Sequence, residues 1–248
     1  CDSCESGYTG YPDCHLDVAV LQAGNGDNSS GHVCALLADG RIVCWGDNTY
    51  GQLGNASNLD SSRPVGVEGN QTDFVALAAA YSFTCASTVE GKAKCWGRNQ
   101  YGQLGDGTAI DRNVPVDVGG LPDKVIAVTT GERHACALMT GGKVYCWGSN
   151  GNGQLGNGSK IDSKTPVEVT GLTDVIDLQA GERFNCAIVA GGSLRCWGQN
   201  DRGQLGDGTS TERTTPVNPI MSSPVVAVAT GGQATCAIIE DGSVKCWG

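Results

Sequence analysis

The stretch "CALLADGRIVCWGDNTYGQLG" runs from Cys34 to Gly54 and decides how the rest of the chain is read. It sets two cysteines ten residues apart, follows the second with Trp-Gly, and then writes Gly-Gln-Leu-Gly. The same arrangement returns as "CASTVEGKAKCWGRNQYGQLG" from Cys85, "CALMTGGKVYCWGSNGNGQLG" from Cys136 and "CAIVAGGSLRCWGQNDRGQLG" from Cys186. A shorter copy, "CAIIEDGSVKCWG", begins at Cys236. The first cysteines are separated by 51, 51, 50 and 50 residues, and each second cysteine follows its first by 10. Self-similarity at a fixed period of this size marks a repeat architecture, in which each unit buries its apolar face against its neighbours.

Each unit holds four strand-like segments. The first is short and rich in β-branched and small residues: "VAVLQAG" from Val18, "FVALAAA" from Phe74, "VIAVTTG" from Val125, "VIDLQAG" from Val175 and "VVAVATG" from Val225. The second and third flank the glycine turn inside the cysteine pair. The fourth is expected to follow a proline, at Pro64-Val65, Pro115-Val116, Pro166-Val167 and Pro216-Val217. Gly, Asn, Asp and Pro separate these runs, as they do between strands, and no window sustains a 3.6-residue apolar period. Four short strands per unit, repeated, give an all-β chain: a β-propeller arc of four-stranded blades.

The pattern C-W-G-x-N-x-x-G-Q-L-G, preceded by segments such as "HACALMTGG" and followed by a Pro-Val strand, resembles the regulator of chromosome condensation (alpha-tubulin suppressor-like) repeat, here of a secreted, bacterial type. The resemblance covers residues 16–248 in units at about 16–67, 68–118, 119–169, 170–220 and 221–248. It implies a ring that is usually seven-bladed, of which five units stand here, so the sequence reads as a fragment. The stretch "CDSCESGYTGYPDC", residues 1–14, contains C-x-x-G-Y-T-G and resembles the end of an epidermal-growth-factor-like module; residues 1–15 are taken as that partial cysteine-rich module. Its nine residues between Cys4 and Cys14 depart from that family's usual spacing.

The invariant glycine six residues after each first cysteine (Gly40, Gly91, Gly142, Gly192, Gly242) sets the hairpin register. A three-residue loop places its third residue in the left-handed region, where glycine costs nothing. With Ala38-Asp39-Gly40 as that loop, Leu36 faces Ile42, Ala35 faces Val43 and Cys34 faces Cys44. The same register opposes Cys85 to Cys95, Cys136 to Cys146, Cys186 to Cys196 and Cys236 to Cys246. Directly opposed residues on one face are close enough to bridge. One disulfide per blade would stabilise by roughly 2.5–3 kcal/mol in the chain-entropy model. The alternative is ten reduced core cysteines, since free cysteine is often buried. Zinc fits poorly, because the pairs lack the short Cys-x-x-Cys spacing. Of the 13 cysteines, Cys4 and Cys14 form the expected remaining pair, and Cys1 is left over.

Paired cysteines at this density point to an oxidising compartment, outside the cell or at its surface. Asn28, Asn55, Asn70 and Asn157 lie in Asn-x-Ser/Thr sequons, which matter only in a glycosylating host. The 248 residues contain no run of 18 apolar residues, so no membrane span is expected in this piece. With 16 Lys and Arg against 26 Asp and Glu, the formal charge is −10, and the basic footprint of a nucleic-acid binder is missing.

Residue by residue, the candidates for chemistry read as structure. His32 and His134 stand where other units hold Phe83, Phe184 and Ala234, so the position is one of packing. Trp45, Trp96, Trp147, Trp197 and Trp247 fill the space between blades. Leu53, Leu104, Leu155 and Leu205 plug the gap beside them, while the amides of Gln52, Gln103, Gln154 and Gln204 satisfy backbone groups at a corner. Asn48, Asn99, Asn150 and Asn200 are turn formers. "GDGT" at Gly105–Thr108 and Gly206–Thr209 lacks the alternating oxygen ligands of a calcium loop and is a turn. No catalytic, cofactor or metal residue is assigned. What varies is the loop after Gly-Gln-Leu-Gly: "NASNLDSSR", "DGTAIDRNV", "NGSKIDSKT" and "DGTSTERTT". Variable loops on a rigid scaffold are where a propeller carries specificity. The expected function is a non-enzymatic, secreted or cell-surface module that binds a protein or glycan through these loops. The other readings are a guanine-nucleotide exchange factor for a small GTPase, which the family's namesake implies, and a hydrolase or lyase on a propeller.

Overall fold

The structure, a computed structural model, describes residues 17–25, 31–69 and 71–248. They form 19 strands and, among the described residues, no helix. The first sheet contains β1 (Val18–Asn25), β2 (Gly31–Leu37), β3 (Ile42–Gly46) and β4 (Ser61–Gly66). The second contains β5 (Phe74–Ala80), β6 (Phe83–Thr88), β7 (Ala93–Gly97) and β8 (Arg112–Asp117). The third contains β9 (Val125–Thr130), β10 (His134–Met139), β11 (Val144–Gly148) and β12 (Ser163–Glu168). The fourth contains β13 (Val175–Ala180), β14 (Phe184–Val189), β15 (Ser193–Gly198) and β16 (Arg213–Val217). The fifth has three strands, β17 (Val225–Thr230), β18 (Thr235–Ile239) and β19 (Val244–Trp247). Every sheet is an antiparallel meander in chain order.

The hairpin register is the one the glycine offset dictates: Cys34 opposes Cys44, Ala35 opposes Val43 and Leu36 opposes Ile42. Leu37 N donates to Arg41 O and Gly40 N donates to Leu37 O, closing the turn with Gly40 at φ +83°. The fourth strand differs from the sequence reading. It contains its proline instead of following it, so β4 starts at Ser61, ahead of Pro64. Cys44 pairs with Val65 and Gly46 with Ser61, and the proline lies in the bulge between those pairs. A residue without an N–H is tolerated at a bulge on an edge strand.

The first strands of consecutive sheets pack on one another, and each sheet lays its leading face on the trailing face of the one before. One such core joins Cys34, Leu36, Ile42, Cys44 and Leu53 to Phe74, Leu77, Ala86 and Trp96 of the next sheet. Three further cores repeat this arrangement between later sheets. The five sheets form an arc that does not close into a ring. Its outer faces are open: Leu21 is 60% exposed where the equivalent Leu77 is 5%, and Val244 is 63% exposed where Ile42 is 2%.

Candidate functional site

Each junction between sheets is built from the repeated motif itself. The indole of Trp96 donates from Nε1 to the backbone carbonyl of Gln52 at 2.9 Å. Trp147 reaches Gln103 O at 2.8 Å, Trp197 reaches Gln154 O at 3.0 Å, and Trp247 reaches Gln204 O at 3.0 Å. The Gln side chain turns the other way: Gln52 Oε1 accepts from Tyr50 N, and the three later glutamines do the same for their own loops. Leu53, Leu104, Leu155 and Leu205 are fully buried in the adjoining cores. The glycine after each Leu has positive φ, and a Cβ on Gly54 would stand 2.7 Å from Trp96 Nε1. Gly-Gln-Leu-Gly is therefore a docking loop whose carbonyl, plug and bare glycine all serve the next sheet's tryptophan.

The histidines carry a hydrogen bond as well as packing. His32 Nε2 lies 2.8 Å from Thr84 Oγ1 in the second sheet, and Thr84 Oγ1 donates to Gln52 O at 3.0 Å. His134 Nε2 lies 3.0 Å from Asn185 Oδ1 in the fourth sheet, and Asn185 Nδ2 donates to Gln154 O at 2.8 Å. With the Thr hydroxyl and Asn amide protons directed at the glutamine carbonyls, the imidazole donates from Nε2–H. Burial pushes both histidines down to about 4 from 6.5. A neutral imidazole at this depth binds one sheet to the next and does not titrate near neutral pH.

The rims of the arc are ordered by charge. Glu132, almost fully buried, accepts from Arg183 Nε at 2.6 Å across a junction and pairs with Arg133 of its own loop at 2.9 Å. That contact raises the Arg183 pKa. The Arg98 guanidinium sits 4.6 Å above the Tyr50 ring, and Arg133 sits 4.9 Å above Tyr101, one sheet apart in each case. In the variable loops, Asn48 Oδ1 accepts from Leu53 N, while its Nδ2 spans Asn55 Oδ1, Ser57 O and Leu59 O. Asn99, Asn150 and Asn200 hold their loops likewise. Seven residues past each of these stands Asp106 or Asp207, whose Oδ2 meets Arg112 or Arg213, or else Asn55 or Asn157, with Ser61 or Ser163 in place of the arginine. "GDGT" is the turn expected of it: Thr108 N and Oγ1 both donate to Asp106 Oδ1.

The structure joins Cys34 to Cys44, Cys85 to Cys95, Cys136 to Cys146, Cys186 to Cys196 and Cys236 to Cys246, each pair with Cα atoms 4.1 Å apart. Cys1, Cys4, Cys14, Asn28 and Asn70 lie outside the described residues. Asn55 and Asn157 are half-buried at loop tips. A shallow polar cleft of about 360 Å3 is lined by Gln71, Asp73, Glu90, Lys92 and neighbours. No cluster of three or more His, Cys, Asp or Glu that could hold a metal occurs among the described residues, and no helix there is long and apolar enough to cross a membrane. Sequence reasoning found the Leu and Asn roles and that of Trp96, Trp147, Trp197 and Trp247. It missed the glutamine carbonyl as a shared acceptor, the Glu132–Arg183 clamp and the Asp–Arg exchange. Only the last left a sequence signal: Arg six residues after Asp, Ser six residues after Asn.

A family model described as the RCC1-like domain matches residues 15–248. The ultraviolet-B receptor UVR8 of Arabidopsis thaliana is 34% identical over 145 residues, which cover 57% of this chain and 33% of the receptor. The probable E3 ubiquitin-protein ligase HERC3 of Homo sapiens is 37% identical over 143 residues, covering 56% of this chain and 13% of that protein. The chain thus spans a third or less of these curated relatives. Among solved structures, human WBSCR16 superposes with a TM-score of 0.80 at 25% identity, over 90% of this chain and 58% of that one.

Proposed function

The chain belongs to the RCC1-like domain family, and on that footing we propose that it is a non-enzymatic interaction scaffold. It works outside the cell or at the cell surface and grips a protein or glycan ligand through its variable blade loops. One observation carries the reading. The polar residues that the repeat holds constant are engaged in joining sheets or ordering loops, Trp with Gln carbonyl and Asn with its loop, and the two histidines that stand in place of Phe are engaged as well, with Thr or Asn. Residue choice is left free in the loops after Gly-Gln-Leu-Gly, which present exposed side chains such as Leu59, Ile110 and Ile161 on a backbone held by the asparagines. A rigid frame with variable, well-ordered loops suits recognition. A disulfide in every sheet supports an oxidising compartment, and the acidic balance disfavours acidic partners.

The test has two arms. Protein recovered from its native source is mapped without reductant, and the five hairpin pairs are expected as linked peptides. Free thiols at all ten positions would remove the exported reading. GDP release from a Ran-type GTPase is then followed at micromolar protein. No acceleration is expected, and a dose-dependent increase would put nucleotide exchange in place of the scaffold.

A further inference from the structure

The loop of the third sheet reads "SNGNGQLGNGS" from Ser149 to Ser159 and contains three Asn-Gly steps: Asn150-Gly151, Asn152-Gly153 and Asn157-Gly158. Asn-Gly is the dipeptide in which the following backbone nitrogen most readily reaches the side-chain carbonyl carbon, because glycine brings no Cβ and turns freely about φ. The fold treats the three steps differently, and we infer that Asn157 is a site of spontaneous deamidation whose rate is governed by the junction between the third and fourth sheets.

Two of the steps are locked. Asn150 is fully buried, its Oδ1 accepting from Leu155 N at 2.9 Å and its Nδ2 donating to Ser159 O and Ile161 O at 3.0 and 3.1 Å. Asn152 holds Glu212 Oε1 through Nδ2 at 2.6 Å, and the nitrogen that would attack it, Gly153 N, donates to Asn150 O at 2.9 Å. Asn157 is arranged otherwise. Its Oδ1 accepts from Ser159 N at 3.1 Å and from Asn150 Nδ2 at 3.3 Å, while its own Nδ2, the leaving nitrogen, makes no hydrogen bond among the described residues. Two fixed N–H groups on the carbonyl oxygen are placed to stabilise the oxyanion that forms when Cγ is attacked. One restraint opposes the reaction: Gly158 N donates to Thr214 O in the fourth sheet at 2.9 Å.

When that bond opens, Gly158 N loses its proton to solvent base and bonds to Asn157 Cγ. Nδ2 takes a proton from solvent, the Cγ–Nδ2 bond breaks and ammonia leaves, giving a succinimide. Water then opens the ring to aspartate or isoaspartate, with no oxidant or cofactor. The aspartate product is a loop type this chain already uses, since Asp106 and Asp207 occupy the equivalent place. There Oδ2 is met by Arg112 or Arg213, whereas the position six residues after Asn157 is Ser163, so the new carboxylate lacks that partner. Asn55, the counterpart in the first sheet, is followed by Ala56, and the added Cβ slows cyclisation there.

The intact chain is aged in warm, mildly alkaline buffer and mapped by mass spectrometry, with an isoaspartyl methyltransferase as a second readout. Asn157 is expected to convert ahead of Asn150 and Asn152. In urea the three steps should convert at similar rates. Trp197→Phe, which removes the Nε1 bond to Gln154 O at the same junction, should raise the Asn157 rate about five-fold, the factor that one typical hydrogen bond gives to an opening equilibrium. Conversion of Asn150 or Asn152 first in the native chain would overturn the inference. So would the same preference persisting in urea, which would make it a property of local sequence alone. An unchanged rate in a folded Trp197→Phe protein would overturn the control by the junction. Ageing of the unaltered chain keeps the site assignment testable if that variant does not fold.

Discussion

Among the described residues, Trp147 Nε1 is the single donor to the backbone carbonyl of Gln103, at 2.8 Å, whereas the equivalent carbonyl of Gln52 is shared by Trp96 and Thr84. The difference arises because the third sheet has Ala135 where the second has Thr84. Trp147→Phe therefore strands a buried acceptor, while Trp96→Phe leaves Gln52 O with its threonine. A stranded buried group costs about 1–3 kcal/mol and a compensated one about 0.5–1.5 kcal/mol. Chemical denaturation of the two variants should show Trp147→Phe as the more destabilising. Equal midpoints would mean that the indole acts by volume alone.

Gly105 and Gly107 separate steric contact from backbone strain. Both have positive φ, +68° and +80°. A Cβ at Gly105 would lie 2.9 Å from Trp147 Nε1 and from a Val118 methyl, whereas at Gly107 the nearest atom is 3.9 Å away. Gly107→Ala should cost about 1–2 kcal/mol, the left-handed penalty alone. Gly105→Ala adds overpacking of roughly 1–3 kcal/mol. Comparable unfolding midpoints would refute the docking role of the second glycine in Gly-Gln-Leu-Gly.

Acid should loosen two junctions. The folded-state pKa of His32 and His134 is about 4, below the ordinary 6.5, so in that interval the unfolded chain binds more protons. Their contribution is complete above pH 6.5 and is lost as the pH falls toward 4. Each histidine then withdraws roughly 3 kcal/mol by the lower limit. His32→Phe recreates the Phe184 and Thr235 pair of the fourth junction. It should remove about half of the acid-dependent loss of stability. An unchanged slope between those limits would show that other groups control it.

How far these features could be read in advance follows from what a residue name encodes. The Gly40 offset determines a backbone conformation, and the conformation determines which side chains face each other, so Cys34 opposite Cys44 was legible. Trp96 and Leu53 were legible as packing because bulk is a property of the side chain. The Gln52 carbonyl was not, since every residue carries the same one. His32 looked like a variant of Phe83 until its Nε2 was seen beside Thr84, which lies 52 positions along the chain.

Graded reduction should attack the bridges unequally. Cys34, Cys44, Cys85, Cys95, Cys136, Cys146, Cys186 and Cys196 are all fully buried. Cys246 is exposed and Cys236 half-buried, because no sheet among the described residues covers that face. Thiolate attack requires access. Under limiting reductant with alkylation, Cys236 and Cys246 should be labelled first, with the other four pairs opening only on unfolding. Simultaneous labelling of all five would show that the whole arc opens as one unit.

The Asp–Arg exchange among the loops makes a testable cycle. Asp106 is half-buried as a residue, with 8% of its side chain exposed, and Arg112 holds its Oδ2 through Nε at 3.0 Å and Nη2 at 2.9 Å. Burial alone would raise the Asp106 pKa, but the bonds from Thr108 and Arg112 outweigh it and hold the carboxyl below its usual range. Arg112→Ser should then leave a buried charge short of two donors and cost about 1–3 kcal/mol. Asp106→Asn together with Arg112→Ser rebuilds the arrangement already present at Asn55 with Ser61 and at Asn157 with Ser163. In both of those loops the asparagine Oδ1 still accepts from the organising asparagine, at 3.2 and 3.3 Å, so the backbone needs the oxygen and not the charge. The double variant should therefore be more stable than Arg112→Ser alone, the interaction term lying in the range of about 0.5–3 kcal/mol found for residues in one network. A double variant no better than the single one would mean that Arg112 supports the loop by packing, and that its recurrence with aspartate has another origin.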